Sequence, residues 1–186
     1  MWFWGRWHAA TSLDGITLPT FACVEGRVAS IDEIVSPISG VRAAIIRWFL
    51  VARAAGVHVT DNGRPVYTPV RTGYWGDGVS VQCGAHRVSI PIDTAFTIEG
   101  AFDLQGGTPL PVGLPAAFGE MVAAIPVHQG SLLYQETFLR RGELVRLEAH
   151  FAPSPSRGGG AYRGGDADFV VRSELGPVRL IDLSVV

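Results

Sequence analysis

Alternation of apolar and polar residues marks several strands along this chain. Val79, Val81 and Cys83 alternate with Ser80 and Gln82, and Val88, Ile90 and Ile92 alternate with Arg87, Ser89 and Pro91. Gly84-Ala85 between the two runs supplies the glycine-first turn of a two-residue hairpin, so residues 79–92 are expected to form a strand pair. Pro91 marks an edge or a strand end. Leu144–Phe151 places Val145, Leu147, Ala149 and Phe151 on one face and Arg146, Glu148 and His150 on the other. At the C-terminus, Ile181, Leu183 and Val185 alternate with Asp182 and Ser184. Phe21–Ser30 is expected as the first strand. Val57–Val66 is expected as a hairpin turning at Asp61-Asn62-Gly63, residues that tolerate positive φ. Val41–Arg53 is nearly all apolar, so periodicity alone cannot separate a buried strand from a helix. Its Ile45-Ile46 and Trp48-Phe49 pairs favour a central strand. Only one segment has helical spacing: Phe118, Met121, Val122 and Ile125 fall at i, i+3, i+4 and i+7, with Pro115 at the start and Pro126 at the stop. A short peripheral helix is therefore expected near 115–125.

These elements give a mostly β fold, a partly open barrel or sandwich. Its core is expected from Val28, Ile46, Trp48, Leu50, Val81, Val88, Ile90, Val145, Leu147 and Phe151. An aromatic-rich segment, 1–20, would precede one β-rich domain over 21–186, with a Gly-rich loop at 154–166. The 186 residues suit one domain.

Composition narrows the function. With 47% hydrophobic and 17% charged residues, the chain is not a disordered one. Its net charge of −2 argues against a nucleic-acid partner. All 15 basic residues are Arg, which excludes lysine Schiff-base chemistry and a P-loop. No apolar run reaches the roughly 20 residues of a membrane-spanning helix. Gly5, Arg6 and His8 interrupt any signal-like run, so a cytoplasmic protein is expected. Cys23 and Cys83 stand far apart without a CxxC motif. Both are read as buried thiols, with a disulfide between them left open.

Catalytic arrangements find little support. His86 and His150 take the wet faces of strands, and His58 sits in a hairpin arm. The histidines show no metal-ligand spacing, and neither metal nor cofactor is expected. Ser36, His86 and Asp93 could be drawn as a triad, but no nucleophile-elbow motif accompanies them. Asp166 and Asp168 lie in or beside the Gly-rich loop and read as solubilising. The Arg157–Gly165 stretch has only Arg157 and Arg163 as charges, too few for RNA binding by counterion release. Trp2, Phe3, Trp4 and Trp7, with Arg6 and His8 among them, either pack back on the barrel or contact a membrane surface or partner.

A further pattern runs through Val24-Glu25-Gly26-Arg27-Val28, then Ser36-Pro37-Ile38-Ser39-Gly40, then the apolar, Arg-containing Ile45–Leu50. It continues through Val79-Ser80-Val81, Arg87–Pro91, Tyr134–Leu139 and Arg141–Leu147. In order and spacing this resembles the GIDE domain, also called BAM for "beside a membrane", found in MULAN-type membrane ubiquitin ligases and in bacterial proteins. The resemblance covers about residues 24–151. It departs at Glu148–Ala149, where the family has a glycine, and at Ala43-Ala44-Ile45-Ile46, where the family often has Cys-Val-Tyr-Tyr. It carries no RING ligands or membrane spans, so no ligase activity is carried over. It implies a non-enzymatic binding or adaptor domain with a protein partner, acting peripherally to the inner membrane or in a bacterial stress or conflict system. An immunity or secretion-accessory protein and a hydrolase with an unrecognised site are the competing expectations. Ser36, Pro37, Gly40, Arg47, Glu136 and Gly142 are read as structural motif residues. Arg47 and Glu136, each a charge within an apolar strand, are expected to pair, the alternative being that both point to solvent on opposite edges.

Overall fold

The computed structural model describes residues 12–30, 32–53, 60–61, 64–65, 67–93, 95–99, 108–126, 132–154 and 168–183. Its strands are, in chain order, β1 (Thr20–Val28), β2 (Ile34–Val35), β3 (Arg42–Ala43), β4 (Ile45–Arg53), β5 (Thr60–Asp61), β6 (Arg64–Pro65), β7 (Tyr67–Trp75) and β8 (Gly78–Cys83). They continue with β9 (His86–Pro91), β10 (Phe96–Glu99), β11 (Thr108–Pro109), β12 (Leu132–Leu139), β13 (Leu144–Pro153), β14 (Phe169–Val171) and β15 (Val178–Asp182). Helix α1 (Ala116–Ala123) falls between β11 and β12. The protein is thus mostly β, with a closed five-stranded barrel, additional strands and, among the described residues, one α-helix and a short 3-10 helix at Ser173–Leu175.

Contacts gather into two compact units. One takes Met1–Asp32, Asp77–Ala101 and Leu139–Val186; the other takes Glu33–Gly76 and Phe102–Phe138. The ten expected core positions are all buried, but they divide between the units rather than forming one barrel core. Val28, Val81, Val88, Ile90, Val145, Leu147 and Phe151 belong to the first unit, and Ile46, Trp48 and Leu50 to the second.

In the first unit the barrel runs β1-β8-β9-β14-β13 and closes where β13 pairs with β1. That closing seam is antiparallel and registers Thr20 with Phe151 through Arg27 with Leu144. β13 carries it because alternation along its ten residues turns Val145, Leu147, Ala149 and Phe151 inward, all fully buried. Its other edge is shared. Phe151–Pro153 pairs with β14, while Val145–Glu148 pairs with β15, which in turn pairs in parallel with β10. The β8–β9 hairpin turns at Gly84-Ala85 with Gly84 at φ +59, and Val81 faces Val88.

Gly26 is where β1 meets β8. A Cβ there would stand 2.5 Å from the Gln82 carbonyl oxygen and 2.7 Å from Cys83 Sγ. Gly26→Ala should therefore destabilise the barrel by about 1–3 kcal/mol through overpacking. Urea unfolding checks this, and an unchanged midpoint would refute the close approach.

The C-terminal strand is corrected in register. It spans Val178–Asp182, and its buried residues are Val178 and Leu180, while Ile181 and the following Leu183 are only partly buried. Pro177 opens it, and Leu180 then pairs with both Ile98 and Leu147. A one-residue slip inverts the faces of a strand, and the apolar partners on two sides select Leu180. Val185 lies outside the described residues.

In the second unit a four-stranded sheet has the order β11-β12-β4-β7. The ambiguous run at 41–53 thus contains an interior strand, β4. Trp48, Leu50, Leu132 and Tyr134 pack with Phe118 and Val122 of α1, so the expected helical face is the one that covers the sheet. Pro115 stands at the N-cap position of the helix without a side-chain cap hydrogen bond. The outer strand β7 carries Pro69, which offers no N–H, and Val70 bulges out of register opposite Leu50/Val51. Both devices blunt an edge against strand addition. β5 and β6 pair as the expected hairpin arms, with Asn62-Gly63 outside the described residues.

Candidate functional site

A polar cluster of the second unit grows from the loop between β2 and β3. Pairing of Ile34 with Ala43 and Val35 with Arg42 brings the loop ends together. The Ser36 N–H donates to the Val41 carbonyl at 2.9 Å, and the Gly40 N–H to the Ser36 carbonyl at 3.0 Å. Gly40 sits at φ +72, the left-handed conformation the turn requires. Ser36 Oγ accepts the N–H groups of Ile38 and Ser39, each at 3.0 Å, an arrangement characteristic of serine at a turn start. Pro37 is exposed within the same loop.

The loop then reaches β12. Ser36 Oγ donates to Glu136 Oε1, and Ser39 Oγ donates to Glu136 Oε2. Tyr134 Oη donates to Glu136 Oε1 at 2.5 Å and accepts the Trp75 indole N–H at 3.1 Å. Period-2 alternation places Tyr134 and Glu136 on one face of β12, so one carboxylate collects three hydroxyl donors. Charge-assisted bonds of this kind are the stronger class. Burial, and then the Glu136 carboxylate, push the Tyr134 phenol above its ordinary value, so it stays a donor at neutral pH. Rings of Trp48, Trp75 and Tyr134 lie against Phe118 at centroid distances of 5.2, 5.4 and 5.8 Å. Ser36 is 2% exposed and already makes three hydrogen bonds. Its chemistry is that of a latch tying the loop to β12, not of a free nucleophile.

The expected Arg47–Glu136 pair is corrected. Arg47 alternates with Trp48 on β4, and Trp48 shares the α1-covered face with Tyr134 and hence with Glu136. Arg47 takes the opposite face, where its guanidinium lies 4.6 Å from the Phe49 ring centroid and 5.9 Å from that of Tyr74, its cross-strand partner. Ser39, Tyr134 and Trp75 were not singled out by sequence reasoning. The signals were present: a second serine in SPISG, and a tyrosine two residues before the glutamate on one strand face.

In the first unit, Gly142 occupies a turn at φ +88, its N–H donating to the Val28 carbonyl at 2.8 Å and its carbonyl accepting from Arg27. Each member of the drawn triad has a partner of its own. His86 bonds Asp14, Asp93 Oδ2 accepts from Ser173 Oγ, and Ser36 bonds Glu136. His150 meets Phe21 edge-on at 5.3 Å. Asp168 accepts the Arg87 N–H at 3.0 Å, an ordering role beyond the solubilising one expected. Asp14 is held below its ordinary carboxyl value, first by the Ser12 hydroxyl and then by His86. Among the described residues no group of three His, Cys, Asp or Glu side chains is arranged to hold a metal, and no helix is long and apolar enough to cross a membrane. Trp2, Phe3, Trp4 and Trp7, with Arg6, His8, His58, Asp166 and Arg157–Gly165, lie outside the described residues.

Cys23 and Cys83 are free and buried. Burial pushes both thiols up, Cys83 to about 11 from the ordinary 9.0. The folded state thus holds the Cys83 proton more tightly than the unfolded chain. That contribution is full below pH 9 and is lost as the pH rises from about 9 towards 11. The urea midpoint of the wild type should fall more steeply over this window than that of Cys83→Ala. Equal slopes would contradict the assignment.

Exposed apolar side chains remain on both units: Leu18, Phe21 and Leu175 on the first, Val35, Val70 and Val112 on the second. Comparison with protein-family models, with curated proteins and with solved structures finds no match to this chain.

Proposed function

We propose that this chain is a non-enzymatic binding or adaptor domain of GIDE (BAM) type, working through a protein partner beside a membrane or in a bacterial stress or conflict system. The observation that carries this reading is the use made of the motif's own reactive groups. The Ser36 and Ser39 hydroxyls and the Glu136 carboxylate of the SPISG pattern bond to one another. Groups spent on holding a loop are not offered to a substrate, which moves function to the surface. There Leu18, 71% exposed, with Phe21 and Leu175, each about half exposed, offers apolar contact on the barrel unit. Isolated exposed apolar residues are ordinary, so the reading needs a direct test.

Full-length protein and a Leu18→Ser/Leu175→Ser variant would be compared by affinity capture from the native host and by vesicle flotation. The reading expects one specific protein, identified by mass spectrometry, whose capture falls at least about tenfold in the variant at an unchanged melting temperature. Flotation would add the membrane-side location. Equal capture by both proteins would overturn the role of this surface. Turnover of an ester, amide or phosphoester probe, abolished by Ser36→Ala, would replace the binding reading with the hydrolase one.

A further inference from the structure

One corner of the barrel unit gathers basic side chains on a rigid base. The chain's one Arg-Arg pair, Arg140-Arg141, opens the turn that leads into β13, and Arg27 approaches that turn from the end of β1. All three arginines are exposed. The Glu143 N–H donates to the Arg140 carbonyl at 3.3 Å, and the Arg140 N–H donates to Glu143 Oε2 at 2.7 Å. Two further bonds tie the turn to β1. The Gly142 N–H donates to the Val28 carbonyl at 2.8 Å, and the Val28 N–H donates to the Glu143 carbonyl at 3.0 Å. Arg27 Nη1 donates to the Gly142 carbonyl at 2.8 Å, so one of its five N–H donors holds this guanidinium beside the turn. Arg141 stands directly before Gly142, and its side chain has no hydrogen bond or ion pair among the described residues.

The acidic side chains of these strands are engaged or turned elsewhere. Glu143 closes its own turn, and Glu25 Oε1 accepts Nε and Nη2 of Arg146 at 3.2 and 2.7 Å. Asp182 lies opposite Val145, on the barrel-facing side of β13, whereas Arg27 lies opposite Leu144 on the outer side. A chain of net charge −2 thus keeps a local excess of positive charge at this corner. We propose that, within the protein-binding role put forward above, the corner receives an acidic segment of the partner, whose carboxylates pair with Arg27 and Arg141 and with Arg140 beside them. A guanidinium is a planar fork that meets a carboxylate through two parallel N–H···O bonds. The bonds of the turn fix the base before the partner arrives, which lowers the ordering cost of binding. A single corner is too short to follow a nucleic-acid backbone, whose affinity grows with the number of phosphates neutralised. The turn Arg140–Glu143 also carries no apolar side chain to enter a lipid surface.

Fluorescence anisotropy of a labelled hexaglutamate peptide with the full chain tests the corner. Binding should weaken steeply between about 50 and 300 mM salt, as exposed ion pairs require. Arg27→Gln/Arg141→Gln should weaken it at least about fivefold. Arg141→Glu, which touches none of the hydrogen bonds of the turn, should do the same at an unchanged melting temperature. Arg42→Gln/Arg71→Gln changes the net charge equally at two exposed arginines of the other unit and should bind as the wild type does. Hexaglutamine should not bind. Absence of hexaglutamate binding, or an equal loss in the Arg42→Gln/Arg71→Gln variant, would overturn the proposal. So would poly(U) RNA or phosphatidylserine vesicles held more tightly than the peptide through the same arginines. Capture from the native host separates this docking from the broader role. A specific partner captured undiminished by Arg141→Glu overturns the acidic docking alone, whereas capture of no protein at all overturns the binding role with it.

Discussion

Phe151→Ala is expected to lower stability by about 3–5 kcal/mol, the range for emptying a buried aromatic site. The side chain is fully buried and lies where three strands join. Its backbone pairs with Thr20 of β1 on one side and with Val171 of β14 on the other. Truncation therefore opens a cavity at the closing seam of the barrel, where the two edges cannot collapse independently. A domain of ordinary stability has only about 5–15 kcal/mol to lose. Chemical denaturation followed by far-ultraviolet circular dichroism measures the change. A loss below about 1 kcal/mol would mean that Phe151 does not fill the barrel.

Glu136→Ala is expected to cost about 2–5 kcal/mol in the sheet unit. It removes the acceptor of two buried hydroxyls, Ser36 and Tyr134, and of Ser39 at the surface. An unsatisfied buried polar group costs about 1–3 kcal/mol. Glu136→Gln keeps a carbonyl acceptor and should cost less. Tyr134→Phe in the Glu136→Ala background should cost less than it does alone, because the phenol has already lost its acceptor. The Trp75 indole N–H resonance reports on the same network, since that N–H donates to Tyr134 Oη. It should shift in Glu136→Ala and move little in Glu136→Gln. Strict additivity of the Glu136 and Tyr134 substitutions would dismantle the latch.

Where a strand has one buried face, the sequence displays it. β8 alternates throughout, β9 from Arg87 to Pro91 and β13 as far as Phe151, after which Ala152 is buried as well, and Val79, Val81, Cys83, Val88, Ile90, Val145, Leu147, Ala149 and Phe151 face inward as expected. Helix α1 is legible for the same reason at a different period, with Phe118 and Val122 buried. β4 is legible only in outline, because residues on both of its faces are buried. The edge strand β7 escapes notice, since Thr68–Thr72 is exposed and contains a proline. The division into two units is not legible either. It arises from pairings between segments far apart in the chain, which local periodicity does not encode. Ser36 and Glu136 both stand out in the sequence as motif residues, but charge alone points to Arg47 as the partner of Glu136, whereas the face of the strand decides, and it supplies hydroxyls.

The closing seam of the barrel also sets an order of events during synthesis. Thr20 pairs with Phe151, 131 positions later in the chain. A ribosome adding about 5–20 residues per second needs roughly 7–26 s to cover that distance. For that interval β1 has emerged but the strand that completes its long edge has not been made. The β4–β7 pair of the sheet unit joins segments close in the chain, Arg53 with Tyr67 at its near end, and is available to form meanwhile. Nascent chains arrested before residue 144 should therefore protect β4 from protease while β1 remains cleavable, and release past residue 153 should protect both. The barrel is accordingly a late product of translation, and its first strand depends until then on whatever else shields an apolar edge in the cell.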